Sequence, residues 1–281
     1  LKTKPDTVRA PRGALYRITE LVGENQNFRF YGVESEDFPE QSIILKIVTD
    51  KAFNHMLERE AFLLNTMSEE AIIVDEEYSA THNGQTLNYQ IGFPKLIDNF
   101  ISEEDGGRRI LILGLTMSDT PSKIVPVNMI TEGDKMRVDA KTSVWVLGKL
   151  LKIIAFAHDR MLVTVGNLDS ENIFIVKENH LVSVFDWSQS VIYPLSVPKN
   201  LVIDELRQAV KVTLVLLGGD PEKGTIPDHE QLQGEGERYR TLLNELLKKD
   251  FESVHNAHRY FYEVVEEIWE RKYHPFTDIS M

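Results

Sequence analysis

The order in which two hydrophobic rhythms succeed one another is the strongest constraint on this chain. Up to about residue 115 apolar side chains mostly alternate with polar ones, and from about residue 140 they recur at helical spacing. Leu15, Ile18, Leu21, Phe28, Phe30 and Val33 mark two strands over residues 14–34, joined by the polar turn Gly23-Glu24-Asn25-Gln26-Asn27. Ser42 to Val48 is a strongly apolar strand with one lysine, Lys46, embedded in it. A helix over residues 52–67 follows, on the spacing of Phe53, Met56, Leu57, Ala61, Leu64 and Met67. An acidic loop is expected around Asp75-Glu76-Glu77, then strands over 88–99 and 109–115 with the charged turn 102–107 between them. The second part predicts helices over 144–158, 204–217 and within 229–271, with two short strands over 172–176 and 181–185. Strands with one helix, then mostly helix, is an α+β order: a small sheet-based lobe over residues 1–114 and a larger helical one over 115–281.

Composition narrows the partners. The 281 residues are enough for one large domain or two lobes sharing a cleft. With 31 basic and 44 acidic residues the formal charge is −13, so the surface repels nucleic acid and anionic lipid. No apolar run is long enough to span a bilayer, and no signal peptide is evident. A start at Leu1 rather than Met fits an excised domain. Cysteine is absent, which rules out disulfides and Cys-ligated metal and fits an intracellular protein, cytoplasmic or nuclear. The eight histidines show no paired-ligand spacing, so no zinc site is expected.

Four residues stand in an order that carries chemistry. Lys46 lies within an apolar strand, where its commoner use alone is to hold its ammonium in solvent. Glu60 lies in the next helix, with Glu58 as its rival, and either acid on its own reads as a solvated helix charge. Asn172 begins a strand after a tight loop, where Asn often caps or turns. Asp186 leaves an apolar strand fourteen residues later and by itself is as readily a turn residue as a ligand.

Taken together, and with the stretch Val165-Gly166-Asn167-Leu168-Asp169-Ser170-Glu171-Asn172, these residues resemble the protein-kinase pattern over about residues 14–271. The resemblance implies that Lys46 grips nucleotide phosphates, that Glu60 holds Lys46 in place, and that Asn172 and Asp186 bind magnesium. ATP and magnesium are the ligands a retained site of this kind takes; a cleft filled by side chains is the other outcome. Gly92-Phe93-Pro94-Lys95-Leu96-Ile97 is similar to the casein-kinase and vaccinia-related-kinase group. Asp186-Trp187-Ser188-Gln189-Ser190 is similar to the Bub family of checkpoint kinases, and its Asp-Trp pair to aminoglycoside-type phosphotransferases.

The departures point to a degenerate member, a pseudokinase. Val165, Gly166 and Asn167 stand where His, Arg and the proton-accepting Asp belong, and losing general-base help typically costs ~10²–10⁴-fold in rate. The phosphate-covering loop retains only Gly23 and the distant Gly32 of its glycines. No A-P-E motif follows Asp186, so a peptide-substrate platform is hard to build. Asp169 reads as a plain loop acid, with a displaced base as its minority use, and His158 as a polar helix terminus. The leading expectation is a signalling scaffold or allosteric regulator that works by binding protein partners, with weak or no nucleotide binding. The alternatives are an atypical kinase or nucleotidyl transferase using Asp169 and Asp186, and a purely structural interaction domain. Tyr260, Phe261, Tyr262 and Trp269 offer a partner surface, with core packing as their plainer use.

Overall fold

The run Ser42–Val48 becomes the strand around which the first part of the molecule is arranged. In the computed structural model, which describes residues 7–39, 41–115, 124–177, 180–226, 234–270 and 272–280, the chain divides into two compact units, Leu1–Lys123 and Ile124–Met281. The first unit holds a six-stranded antiparallel sheet. Its strands are β1 (Thr7–Arg9), β2 (Leu15–Glu24), β3 (Phe28–Glu34), β4 (Ser42–Val48), β5 (Lys95–Ser102) and β6 (Arg108–Leu115), in spatial order β1-β2-β3-β4-β6-β5. β4 lies between β3 and β6 and is covered on both faces, which is why it reads as an apolar run rather than an alternation. β2, nearer the sheet edge, alternates poorly and carries two register shifts against β3.

Helix α1 (Asn54–Thr81) packs on β5 and β6. Its buried stripe runs through Leu57, Glu60, Ala61, Leu64, Met67 and Ala71, the spacing of one helix face. Asn54 fixes where it starts: its amide donates to the Gly107 carbonyl (2.9 Å) and accepts from the Arg109 N–H (2.7 Å). The acidic segment Asp75-Glu76-Glu77 is helical, not a loop; α1 continues fourteen residues beyond the predicted end at Met67. Asp75 has a specific use there, accepting from the backbone N–H groups of Leu87 and Asn88 (2.8 and 3.0 Å). That capture also explains a second correction. Residues 88–94 are not strand, because Asn88 takes a left-handed conformation (φ 54°), Tyr89–Gly92 form a single tight turn, and β5 begins only at Lys95.

The second unit is mainly helical. Its helices are α2 (Ala140–Asp159), α3 (Lys199–Leu216), α4 (Glu235–Lys248) and α5 (Val254–Ile268). The short strands are β7 (Ile124–Pro126), β8 (Met136–Val138), β9 (Val163–Thr164), β10 (Ile173–Val176), β11 (Leu181–Val184), β12 (Val191–Ile192) and β13 (Asp278–Ser280). They pair as β11-β10-β7, β12-β9 and β13-β8. α2 is buried along nearly its whole length and packs against α3 and α5. Asp139 caps it, accepting from the Thr142 N–H at 2.6 Å. α3 begins at Lys199, five residues before the predicted start. Among the described residues no helix is long and apolar enough to cross a membrane.

Where α5 lies on α2, Gly148 leaves room for the Tyr262 hydroxyl, which a Cβ there would overlap. One turn away, burial pushes His258 down to about 4, helped by nearby His255 and Lys152 and opposed by its hydrogen bond to the Gly148 carbonyl. Its folded pKa is depressed below the ordinary value, so the unfolded chain binds the extra proton. Stability from this group is complete above about pH 6.5 and is lost as pH falls toward 4. Urea unfolding should show a loss of roughly 2 kcal/mol from this group by pH 5. His258→Gln should flatten the pH dependence across that window.

Candidate functional site

The sequence-predicted residues fall into two clusters, one in each unit. In the first, the Lys46 ammonium lies 2.6 Å from the Glu60 carboxylate, and both side chains are fully removed from solvent. Glu60 sits on the buried stripe of α1. Glu58 sits on the outer side and meets Arg109 instead, 68 % exposed. The ring of Phe28, itself buried, lies 4.5 Å from the Lys46 nitrogen, and the ring of Phe30 lies at 5.6 Å. Lys46 is thus held between a carboxylate and two aromatic faces, all from its own unit.

The turn between β2 and β3 is closed on itself. The Asn25 side-chain oxygen accepts from the backbone N–H groups of Asn27 and Phe28 (2.9 and 2.8 Å), and the Asn25 N–H donates to the Phe28 carbonyl (2.9 Å). Thr49 ties the tip down by donating from its N–H to the Asn27 carbonyl and from its hydroxyl to the Gln26 carbonyl, both at 2.8 Å. A phosphate-covering loop works by aiming unused N–H groups at the ligand. Here those of Asn25, Asn27 and Phe28 are engaged inside the turn.

In the second unit, Asn167, Asp169, Asn172 and Asp186 are brought together by the loop between β9 and β10 and the end of β11. Asn172 clasps this arrangement. Its amide nitrogen donates to the carbonyls of Asn167 (2.7 Å) and Asp186 (3.0 Å), and its oxygen accepts from the Asp186 N–H (2.6 Å). Asp169 turns the loop, one carboxylate oxygen accepting from the N–H groups of Glu171 (3.0 Å) and Asn172 (2.9 Å). The Asn167 side-chain oxygen accepts from the Asp169 N–H (3.2 Å), and Asp186 accepts from the Ser188 N–H (2.8 Å). Trp187 is fully buried, its indole N–H donating to the Val184 carbonyl (2.9 Å).

Two determinants escaped the sequence reading. Glu205, from the buried face of α3, accepts from the N–H groups of Val165 (3.1 Å) and Gly166 (2.7 Å) and contacts His158 at 2.7 Å. His158 is therefore part of a buried polar knot rather than a simple helix terminus. The available signal was one acid among the apolar positions Val202, Leu206 and Ala209. The other is Phe28, legible as a strand residue but not as the cover of Lys46. Gly166 is sterically required as well: it takes φ 86°, and a Cβ there would stand 2.5 Å from the Gln189 carbonyl oxygen.

Removing one partner of a buried ion pair strands the other charge. Lys46→Ala should cost about 3–5 kcal/mol in urea unfolding, while the apolar double replacement Lys46→Met with Glu60→Leu should recover most of it. Gly166→Ala should cost about 1–3 kcal/mol by the same measurement, from strain and overlap with Gln189.

No protein-family model matches the chain, and no curated protein sequence matches it. Its structure does find likenesses: 1229 chains of known structure match. Among them is the structure of vaccinia related kinase 3, with a TM-score of 0.61 at 13 % identity, covering 95 % of this chain and 93 % of that one. Likeness at that identity is a statement about architecture, and the architecture is α+β: this chain has a protein-kinase-like fold.

Proposed function

We propose that this chain is a pseudokinase, a signalling scaffold or regulator that acts by binding protein partners and carries out little or no phosphoryl transfer. The observation that carries the reading is the sealing of Lys46: its ammonium is fully buried against Glu60 and beneath Phe28. A nucleotide phosphate would have to displace the Phe28 ring to reach the ammonium; the pairing with Glu60 alone would not prevent it, since a phosphate-gripping lysine keeps such a partner. The self-closed turn at Asn25 removes the backbone donors that would otherwise offset that cost.

The residues present fit ATP and magnesium poorly. Magnesium takes hard oxygen ligands in a near-octahedral set. Asn172 directs its oxygen at the Asp186 N–H, and one oxygen of Asp186 accepts from Ser188. If the ion were bound, Asp186 and Asn172 would hold it and it would neutralise phosphate charge. Proton acceptance from a substrate hydroxyl falls to Asn167, whose amide is not basic. Asp169, the candidate substitute, is committed to two loop N–H groups. The connection from Asp186 to α3 at Lys199 is short and contains a two-residue strand, which leaves little chain for a peptide-substrate platform.

A thermal-shift titration with ATP and magnesium should leave the melting temperature unchanged, and a radiolabelled transfer assay should show no incorporation above a no-protein control. Asn167→Asp should not restore transfer, because Lys46 stays covered. Robust turnover that Asp186→Asn abolishes without loss of fold would sink the proposal and favour an atypical transferase.

A further inference from the structure

Helix α1 has a second long face that the packing of the first unit leaves in water. Its buried stripe ends at Ala71, and none of its remaining residues to Thr81 is buried. Opposite that stripe lie Phe62, Thr66, Glu69, Ile73, Glu76 and Ala80, spaced alternately by four and three residues. That spacing keeps side chains in one line along a helix and is the seam on which a second helix packs. Phe62 is 60 % exposed and Ile73 46 %, two large apolar groups left in solvent on the same line. Glu69 and Glu76 are exposed beside them and have no ion pair or hydrogen bond among the described residues, whereas Glu58, one turn before Phe62, is already taken by Arg109.

The far end of the helix is held in place. Asp75 binds the N–H groups of Leu87 and Asn88, the Gln90 amide donates to the Ser68 carbonyl (3.4 Å), and the rings of Tyr78 and His82 stack at 3.8 Å. A helical segment with no buried side chain is marginal in water on its own, so these ties are what keep the line straight as far as Ala80.

We propose that this face of α1 docks an amphipathic helix of a partner protein, with apolar residues set against Phe62 and Ile73 and basic residues set against Glu69 and Glu76. The proposal rests on the reading of the chain as a binding module and names the chemistry of what it binds. Glu69 and Glu76 are seven residues apart, about 10 Å along the axis, so lysine or arginine at the same interval on a partner helix meets both at once. No basic residue stands in the last turn of α1, so nothing local compensates Glu76. A second copy of this chain is the poorer occupant, because it would set the same unpaired carboxylates into a seam between two molecules of charge −13 each.

The test is fluorescence anisotropy on the intact protein with labelled helical peptides of about three heptads. Their seam is leucine except at two positions seven apart, which are lysine in one peptide and glutamate in the other. The lysine peptide should bind saturably and about tenfold more tightly than the glutamate peptide, and added salt should narrow the gap. Phe62→Ser with Ile73→Ser should abolish binding of the lysine peptide while leaving the melting temperature unchanged, since both side chains are exposed. Glu69→Lys with Glu76→Lys should reverse the preference between the peptides. Equal binding of the two peptides, a preference that the charge swap does not reverse, or no saturable binding at all would each overturn the proposal. A dimer in sedimentation that Ile73→Ser dissociates would overturn it in favour of self-association. None of these readouts involves nucleotide or phosphoryl transfer, so turnover that removed the pseudokinase reading would leave them unchanged, and loss of peptide binding would leave that reading intact.

Discussion

Two opposite charges, Lys46 and Glu60, sit together entirely out of water, and the first unit is arranged around keeping them so. Each alone would be costly to bury, and together they are tolerable only at close range and in good geometry. That requirement fixes the register of α1 against β4, since Glu60 must arrive where Lys46 leaves the central strand. It also accounts for Phe28 and Phe30, whose faces complete the surroundings of the ammonium.

The second unit follows the same logic. Asn172, Asp169 and Asp186 are the residue types that bind metal or move protons, yet their hydrogen bonds go largely to backbone groups of their own loop and hairpin. Glu205 and His158 anchor that loop from beneath. These hydrogen bonds hold the shape of the loop, and their mutual support constrains it.

Legibility in the sequence tracked how local each cause was. The apolar run of β4 and the helical stripe of α1 announced themselves, while the choice of Glu60 over Glu58 came from the family resemblance rather than from the spacing. The acidic run at Asp75 misled because its carboxylate reaches Leu87 and Asn88, a partnership that only the folded chain reveals. Strands of two or three residues, such as β9 and β12, are too short to establish a period, and they exist only through their pairing. Phe28 and Glu205 were hidden for a similar reason: alternation tells that a side chain is inside, not what it covers or whom it bonds.

The close approach of Gly166 to Gln189 ties two stretches of the second unit into one mutational unit. Any side chain at 166 meets main chain that does not belong to its own segment, a Cβ there standing 2.5 Å from the Gln189 carbonyl oxygen. A substitution at 166 is therefore accommodated only if the stretch after Trp187 shifts with it, so the two positions vary together or not at all.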